Sequence, residues 1–260
     1  MDHTSQDDVI AGCRTRFMRG GSGSPLVFLH GASGAASWLP FMDQLAEHRE
    51  IIVPEHPGFG NSDHPDWLDG ISDLAYFYLD TFEQLGLVDI DLVGASIGGW
   101  LAAEIAIRNS SRLRSLTLVG PAGIHVKGLR KADIFMWSAE ETARNLFYDQ
   151  RFSDEMLAVP LTPEAQMAVL KNKLATAKLA WQPRLYNPDL HKWLHRIDVP
   201  TLIVWGQEDK VFPPAYGEHF RSMIPGSRLE TIAKCGHLPQ VEQADRFATL
   251  VSGFIQEVAR

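Results

Sequence analysis

Ile90-Asp91-Leu92-Val93-Gly94-Ala95-Ser96-Ile97-Gly98-Gly99-Trp100-Leu101-Ala102-Ala103-Glu104 is the stretch on which the fold turns. An apolar run ends at Val93, small residues crowd around a serine, and a helix-forming run opens at Trp100. Gly-x-Ser-x-Gly alone arises readily by chance, but between a strand and a helix it has a mechanism. The tight turn strains the backbone at Ser96 and lifts its hydroxyl above the sheet. Glycines at 94 and 98 remove Cβ atoms that would collide where strand and helix close up. The following helix aims its free N-terminal amides and positive dipole end at the reacting centre. The spacing predicts Ser96 as a nucleophile; a serine-capped glycine turn is the competing reading.

On both sides of this corner the same rhythm recurs. Residues 25–30, 50–54, 90–93, 113–119 and 201–205 read as buried strands, with a late strand near 228–232. Most lack strict alternation, as expected where helices cover both faces of a parallel sheet. Amphipathic segments near 37–48, 72–86, 97–109, 213–224 and 241–258 separate them. The alternation predicts a doubly wound α/β sheet. Gly20-Gly21-Ser22-Gly23 predicts a turn out of an N-terminal antiparallel strand around 13–19.

From about residue 122 to 196 the rhythm stops: helical patterns at 131–147 and 163–182 stand without a strand. In the second, Met167, Leu170, Leu174, Ala177 and Trp181 fall at intervals of three or four, on one helix face. Such a stripe is ordinary core, or else the underside of a helical lid lining a pocket.

Composition bounds the function. Hydrophobic residues make up 45% of the 260 and charged residues 22%, a balance that supports a core without disulfides or structural metals. The net charge is −8 and no Lys/Arg-rich run appears, which argues against nucleic-acid binding. The N-terminal stretch is acidic and polar, unlike a signal peptide, and no apolar run reaches membrane-spanning length, so a cytoplasmic location is expected. Two cysteines, Cys13 and Cys235, make no disulfide framework and are read as reduced thiols. No His/Cys/Asp cluster has metal-ligand spacing, and Ser96 occupies the centre of the glycine-rich turn where a dinucleotide fingerprint would need phosphate contacts. Neither a metal nor an organic cofactor is therefore expected.

A serine hydroxyl needs a base. Among ten histidines, His237 lies in a loop after the late strand and before the last helix, at the carboxyl edge where open α/β sheets bind ligands. His3, His48, His64, His191, His195 and His219 sit in polar or helical surroundings and read as surface or packing residues. The imidazole needs an acid to fix its tautomer. Asp209 follows the 201–205 strand at the same edge, whereas Asp198 precedes it and Glu208 points away if Asp209 points in. Leu29-His30-Gly31-Ala32-Ser33-Gly34 has the small residues an oxyanion hole needs, with the amides of Ala32 and Ile97 as donors and His30 as a brace.

Ser96, Asp209 and His237 in that order, with Leu29-His30-Gly31, Pro57-Gly58-Phe59-Gly60-Asn61-Ser62, Gly94 to Gly99, Pro200 to Gly206 and Gly236-His237, together resemble the α/β-hydrolase superfamily from about residue 13 onward. The resemblance implies a mostly parallel sheet flanked by helices. It also implies a helical cap inserted after the sixth strand, so that 1–121 and 197–260 form the core and 122–196 the cap. Serine at 96 sets the chain apart from haloalkane dehalogenases and epoxide hydrolases, which carry Asp there. Carboxylesterases, lipase-like enzymes, cofactor-free peroxidases and hydrolases of C–C bonds in ring-fission products remain. The C–C group typically carries Asn before the nucleophile and Trp after the histidine; here Ala95 and Leu238 stand there.

Ester hydrolysis of a small, largely apolar substrate through an acyl-enzyme is therefore expected first and C–C hydrolysis second. A receptor-like member without turnover is the reading from another class. Trp38, Trp137, Phe147, Trp181 and Leu238 are candidate pocket lining, each equally readable as core. Arg184 is a candidate partner for a substrate carboxylate, or else a solvated loop arginine.

Overall fold

The computed structural model of the protein describes residues 2–259. Its strands are β1 (His3–Ile10), β2 (Cys13–Gly20), β3 (Pro25–Leu29), β4 (Glu50–Pro54), β5 (Ile90–Ala95), β6 (Leu113–Val119), β7 (Thr201–Gly206) and β8 (Arg228–Ile232). They form one eight-stranded sheet in the order β1-β2-β4-β3-β5-β6-β7-β8. β1 and β2 run antiparallel to their neighbours; all remaining pairs are parallel.

The missing alternation has a direct cause: both faces are buried. Leu26, Phe28, Val93, Val119, Leu202 and Val204 point into one core, while Val27, Leu29, Leu92, Leu118, Ile203 and Trp205 point into the other. Burying each such side chain is worth about 1.5–3 kcal/mol, so neither face tolerates polar residues without partners. Helices α1 (Pro40–Ala46) and, at the chain end, α10 (Ala244–Val258) cover the first face through Phe41, Met42, Phe247 and Val251. The second is covered by α2 (Ile71–Gln84), α3 (Ile97–Arg108) and α8 (Ala215–Met223), through Leu74, Phe77, Leu101 and Phe220. Cys13 and Cys235 are free and buried in opposite cores, with the sheet between them.

The one charge in the central strand proves this rule. Asp91 is fully buried, and it accepts hydrogen bonds from Arg49 Nε (3.1 Å), Arg114 Nε (3.0 Å) and Ser115 Oγ (2.7 Å). It sits at the amino end of β5, away from Ser96.

β1 is unforeseen in the sequence. Its side chains are almost all exposed, so no apolar pattern marks it, and Asp7 pairs with Arg14 and Arg16 of β2 to hold the hairpin.

Between β6 and β7 the chain forms α4 (Ala139–Leu146), α5 (Gln150–Ala158), α6 (Pro163–Ala180) and the short α7 (Leu190–Trp193). No strand forms there among the described residues, only a single bridge between Gly123 and Tyr186. α6 starts where the sequence supplies a cap: Thr162 Oγ1 accepts from the Ala165 N–H, and Pro163 occupies the first turn.

The stripe on α6 faces the other way from either expectation. Met167 and Leu174 are 64% and 63% exposed, and Leu170 and Trp181 are exposed as well. The buried face carries Asn172, Ala175, Thr176, Leu179 and Ala180. Small and polar residues lie inward because the helix approaches the core main chain closely enough to hydrogen-bond to it, as described below.

Candidate active site

Ser96 sits where β5 turns into α3, with φ 55° and ψ −116°, a conformation that non-glycine residues rarely adopt. Its N–H donates to Val119 O (2.8 Å), and its own carbonyl accepts from Trp100 and Ala122 N–H (3.0 Å each), so both neighbours clamp the strained residue. Glycine is required on either side. A Cβ on Gly94 would stand 2.2 Å from Gly98 O, and one on Gly98 would stand 2.1 Å from Leu29 O.

His237 Nε2 lies 2.9 Å from Ser96 Oγ, and its Nδ1 lies 2.8 Å from Asp209 Oδ2. The acid fixes the tautomer: Nδ1–H donates to the carboxylate, leaving Nε2 to accept from the serine hydroxyl. Asp209 is itself immobilised, its Oδ1 accepting from Val211 N–H (2.7 Å) and Phe212 N–H (3.0 Å). Histidine and aspartate are both buried, so their interaction is shielded from water. The two loops touch backbone to backbone: a Cβ on Gly206 would fall 1.8 Å from Gly236 O. The arrangement can take a proton from Ser96 and return it to a leaving group.

Gly31 brings the β3–α1 loop beside the serine, its Cβ position 3.2 Å from Ser96 Cβ. Among the described residues, neither the Ala32 nor the Ile97 N–H donates to another main-chain carbonyl. Ile97 opens α3, where helical amides lack an internal partner.

A sequence model described as alpha/beta hydrolase fold matches residues 24–244. The chain belongs to the α/β-hydrolase family. It is 30% identical, over 96% of its length and 93% of the relative's, to 2-hydroxymuconate semialdehyde hydrolase of Pseudomonas sp. strain CF600. With 2-hydroxy-6-oxo-6-phenylhexa-2,4-dienoate hydrolase of Comamonas testosteroni it shares 31% identity, covering 91% of this chain and 89% of that one. Its fold superposes on a meta-cleavage product hydrolase from Pseudomonas fluorescens IP01 with TM-score 0.80 at 23% identity, covering 97% of each chain. A thermophilic esterase from Thermogutta terrifontis gives TM-score 0.79 at 24% identity, covering 98% and 99%. This α/β-hydrolase is thus an enzyme of the hydrolase class.

Not every expected site residue of the α/β-hydrolase gathers at Ser96. Trp38 does not: its ring stacks on His3 (4.8 Å) and abuts Gly20, and its indole N–H donates to Asp43. Gly20 pairs with Ile51, toward the amino edge of the sheet, opposite Ser96. Arg184 already has a counter-ion, Asp133, and stacks over Trp181 (3.8 Å) and Phe135 (5.3 Å), so no carboxylate-binding role is assigned to it. Trp181 is half-exposed and packs edge-on to Phe135. Trp137 and Leu238 are partly buried against the larger core. Phe147 is buried on Phe152, and its backbone lies against Gly236.

Three supports escaped the sequence reading. Asn172 of α6 accepts from Gly60 N–H (2.9 Å) and donates to Ser33 O (2.8 Å), beside Ala32. Lys171 Nζ donates to Gly60 O (2.7 Å) and Ser62 O (2.6 Å). Glu242 of the short helix α9 (Pro239–Glu242) reaches the loop before His237. All three bind main-chain atoms, which leave no side-chain pattern; only the acid five residues after His237 was there to notice. Glu208, adjacent to Asp209, points away as expected and accepts from Cys235 N–H (2.8 Å).

His30 ties the loop that follows β3. Its Nδ1–H donates to Gly31 O (2.7 Å), and its Nε2 accepts from His56 N–H (2.9 Å). His56 in turn bonds His30 O (3.0 Å) and the Tyr78 hydroxyl (2.5 Å), and the two rings stack 3.7 Å apart. Burial holds the His30 imidazole near a pKa of about 4, and burial with the neighbouring His30 holds His56 well below the ordinary histidine range.

Proposed function

We propose that this α/β-hydrolase uses a Ser96–His237–Asp209 triad to cleave an acyl–carbon bond in a small oxo-carboxylate. The hydrogen-bond chain at 2.9 and 2.8 Å carries the hydrolytic part of this reading. Its C–C direction is supported by relatives named as hydrolases of 2-hydroxymuconate semialdehyde and of a 6-oxo-dienoate, which align along nearly the whole chain. The sequence had placed C–C cleavage second to ester hydrolysis.

In the first half-reaction Ser96 Oγ attacks the ketone carbonyl while His237 Nε2 takes its proton. The amides of Ala32 and Ile97 hold the oxyanion. Collapse breaks the bond between the carbonyl and its neighbouring carbon; that carbon keeps the electron pair and accepts the proton from His237. The 2-hydroxydienoate must first ketonise, its hydroxyl proton moving to the carbon beside the carbonyl, so that this carbon is saturated and its electron pair departs conjugated with the 2-oxo-ene as a dienolate. Water, deprotonated by His237, then releases the acyl group as an acid and restores Ser96. We place residues 122–196 as a cap over residues 1–121 and 197–260, on the support of Leu146 and Asn172 bonding the two catalytic loops.

Ala95 and Leu238 favour a second reading, ester hydrolysis, since C–C hydrolases of the family typically carry Asn and Trp there. Turnover of a 6-oxo-dienoate and of a short-chain nitrophenyl ester, by wild type and Ser96→Ala, tests both. The expected result is the larger kcat/KM on the oxo-dienoate and a loss of about 10⁴-fold or more in the variant. A preference for the ester would move the assignment to an esterase. Activity retained by Ser96→Ala, or no turnover of either substrate, would overturn the triad reading altogether.

A further inference from the structure

We propose that Glu242 is a positioning residue that makes seating of the cap and placement of His237 a single event. Its side chain is 7% exposed and accepts three main-chain N–H bonds from two segments far apart in sequence. Gly236 N–H, one residue before the catalytic histidine, donates to Oε2 at 2.6 Å. From the cap, Tyr148 N–H donates to the same oxygen at 3.2 Å and Asp149 N–H to Oε1. A fourth bond closes the junction: His237 N–H donates to Leu146 O at 2.8 Å.

The chemistry of the acceptor explains the choice of residue. A carboxylate only accepts, through two oxygens with about four lone-pair directions, so it takes donors from both sides at once. A carboxamide would turn its NH₂ toward one of those donors. No side chain can wedge the junction open either, because a Cβ on Gly236 would meet Leu146 O at 2.4 Å and Phe147 Cα at 2.9 Å.

When the cap segment lifts, Glu242 loses two of its donors and the His237 amide loses its acceptor. The core side of the loop stays tied, since Glu208 still holds Cys235 N–H and Gln207 N–H still donates to Ile232 O. The loop is therefore hinged rather than released, and His237 loses the alignment that general-base catalysis demands. Proton abstraction from Ser96 is then strong only under a seated cap.

The inference rests on the triad reading, and the test separates the two. Wild type, Glu242→Gln and Asp149→Pro are compared by kcat and KM, by the rate of fluorophosphonate labelling of Ser96, and by amide hydrogen exchange. The proline variant deletes one donor from the cap side at a φ of −78° that proline accepts. For Glu242→Gln, kcat and labelling should fall about 10-fold or more with KM nearly unchanged, as expected for loss of charged hydrogen bonds. Exchange should rise together in 146–149 and 233–237. Asp149→Pro should raise exchange in the distant 233–237 loop as well.

Wild-type kcat in Glu242→Gln would overturn the proposal, as would faster exchange in one segment alone. If Asp149→Pro leaves the histidine loop protected, the coupling does not exist. Absence of labelling in the wild type would instead strike the triad.

Discussion

Acidification should destabilise this protein well above the pH at which its carboxylates titrate, because of the stacked pair His30 and His56. The hydrogen bonds of His30 require a neutral ring, and burial beside His30 disfavours charge on His56. Protonating His30 Nε2 removes the acceptor for His56 N–H, and a second charge on the ring stacked 3.7 Å away would be repelled strongly because both rings are buried. The folded His30 titrates near 4 against an ordinary 6.5. Between these values the unfolded chain takes up a proton that the native chain refuses, so stability falls as pH falls. At about 1.4 kcal/mol per pH unit for one proton, His30 alone removes about 2 kcal/mol between pH 6.5 and 5. The loss reaches about 3 kcal/mol at pH 4 and is complete only below that pH. His56, shifted in the same direction, steepens the slope within the same window. Urea unfolding at intervals from pH 7.5 to 5, for wild type and His30→Asn, measures this directly. The variant starts less stable at pH 7.5 but should show a shallower slope below 6.5. A wild-type stability that is flat from pH 7.5 to 5 would refute the reasoning, as would equal slopes in the two proteins.

Two further perturbations address the loops around Ser96. Asn172→Ala strands Gly60 N–H and Ser33 C=O, each costing about 1–3 kcal/mol if it stays dry. The melting temperature should drop by several degrees, and kcat should fall more than KM rises because Ala32 adjoins the freed carbonyl; calorimetry and steady-state kinetics report the two effects. Gly98→Ala sets a methyl 2.1 Å from Leu29 O and should abolish both cooperative melting and fluorophosphonate labelling. Gly253→Ala, with open space around its Cβ and a helical backbone, should add about 0.5–1 kcal/mol of stability instead.

How far the sequence could be read depended on what each residue binds. The parallel sheet was legible because Leu26 and Val27 face different cores, and only burial on both sides dispenses with alternation. Ser96, Asp209 and His237 were legible because each follows a strand that ends at the same edge. β1 was not, since an exposed edge strand is written in polar residues held by ion pairs. The α6 stripe misled in direction: periodicity at three and four residues proves that a face exists but not which way it points. Its inner face holds Asn172 and Ala175 because the partners there are main-chain carbonyls and amides. Glu242 was invisible for the same reason. Trp38 was chosen by residue type and Arg184 by its charge within the inserted segment, but the indole and guanidinium are already engaged by Asp43 and Asp133.

Glycine contacts around Ser96 set where this enzyme is able to change. At 94, 98, 206 and 236 the first carbon of any side chain would lie within 2.4 Å of a carbonyl oxygen. Random mutagenesis of these positions should return almost nothing but glycine, whatever substrate is selected for. Altered selectivity is expected instead from changes in the 122–196 insertion, whose residues 146–148 pack against Gly236. A library built for altered selectivity therefore belongs in residues 122–196, with these four glycines left untouched.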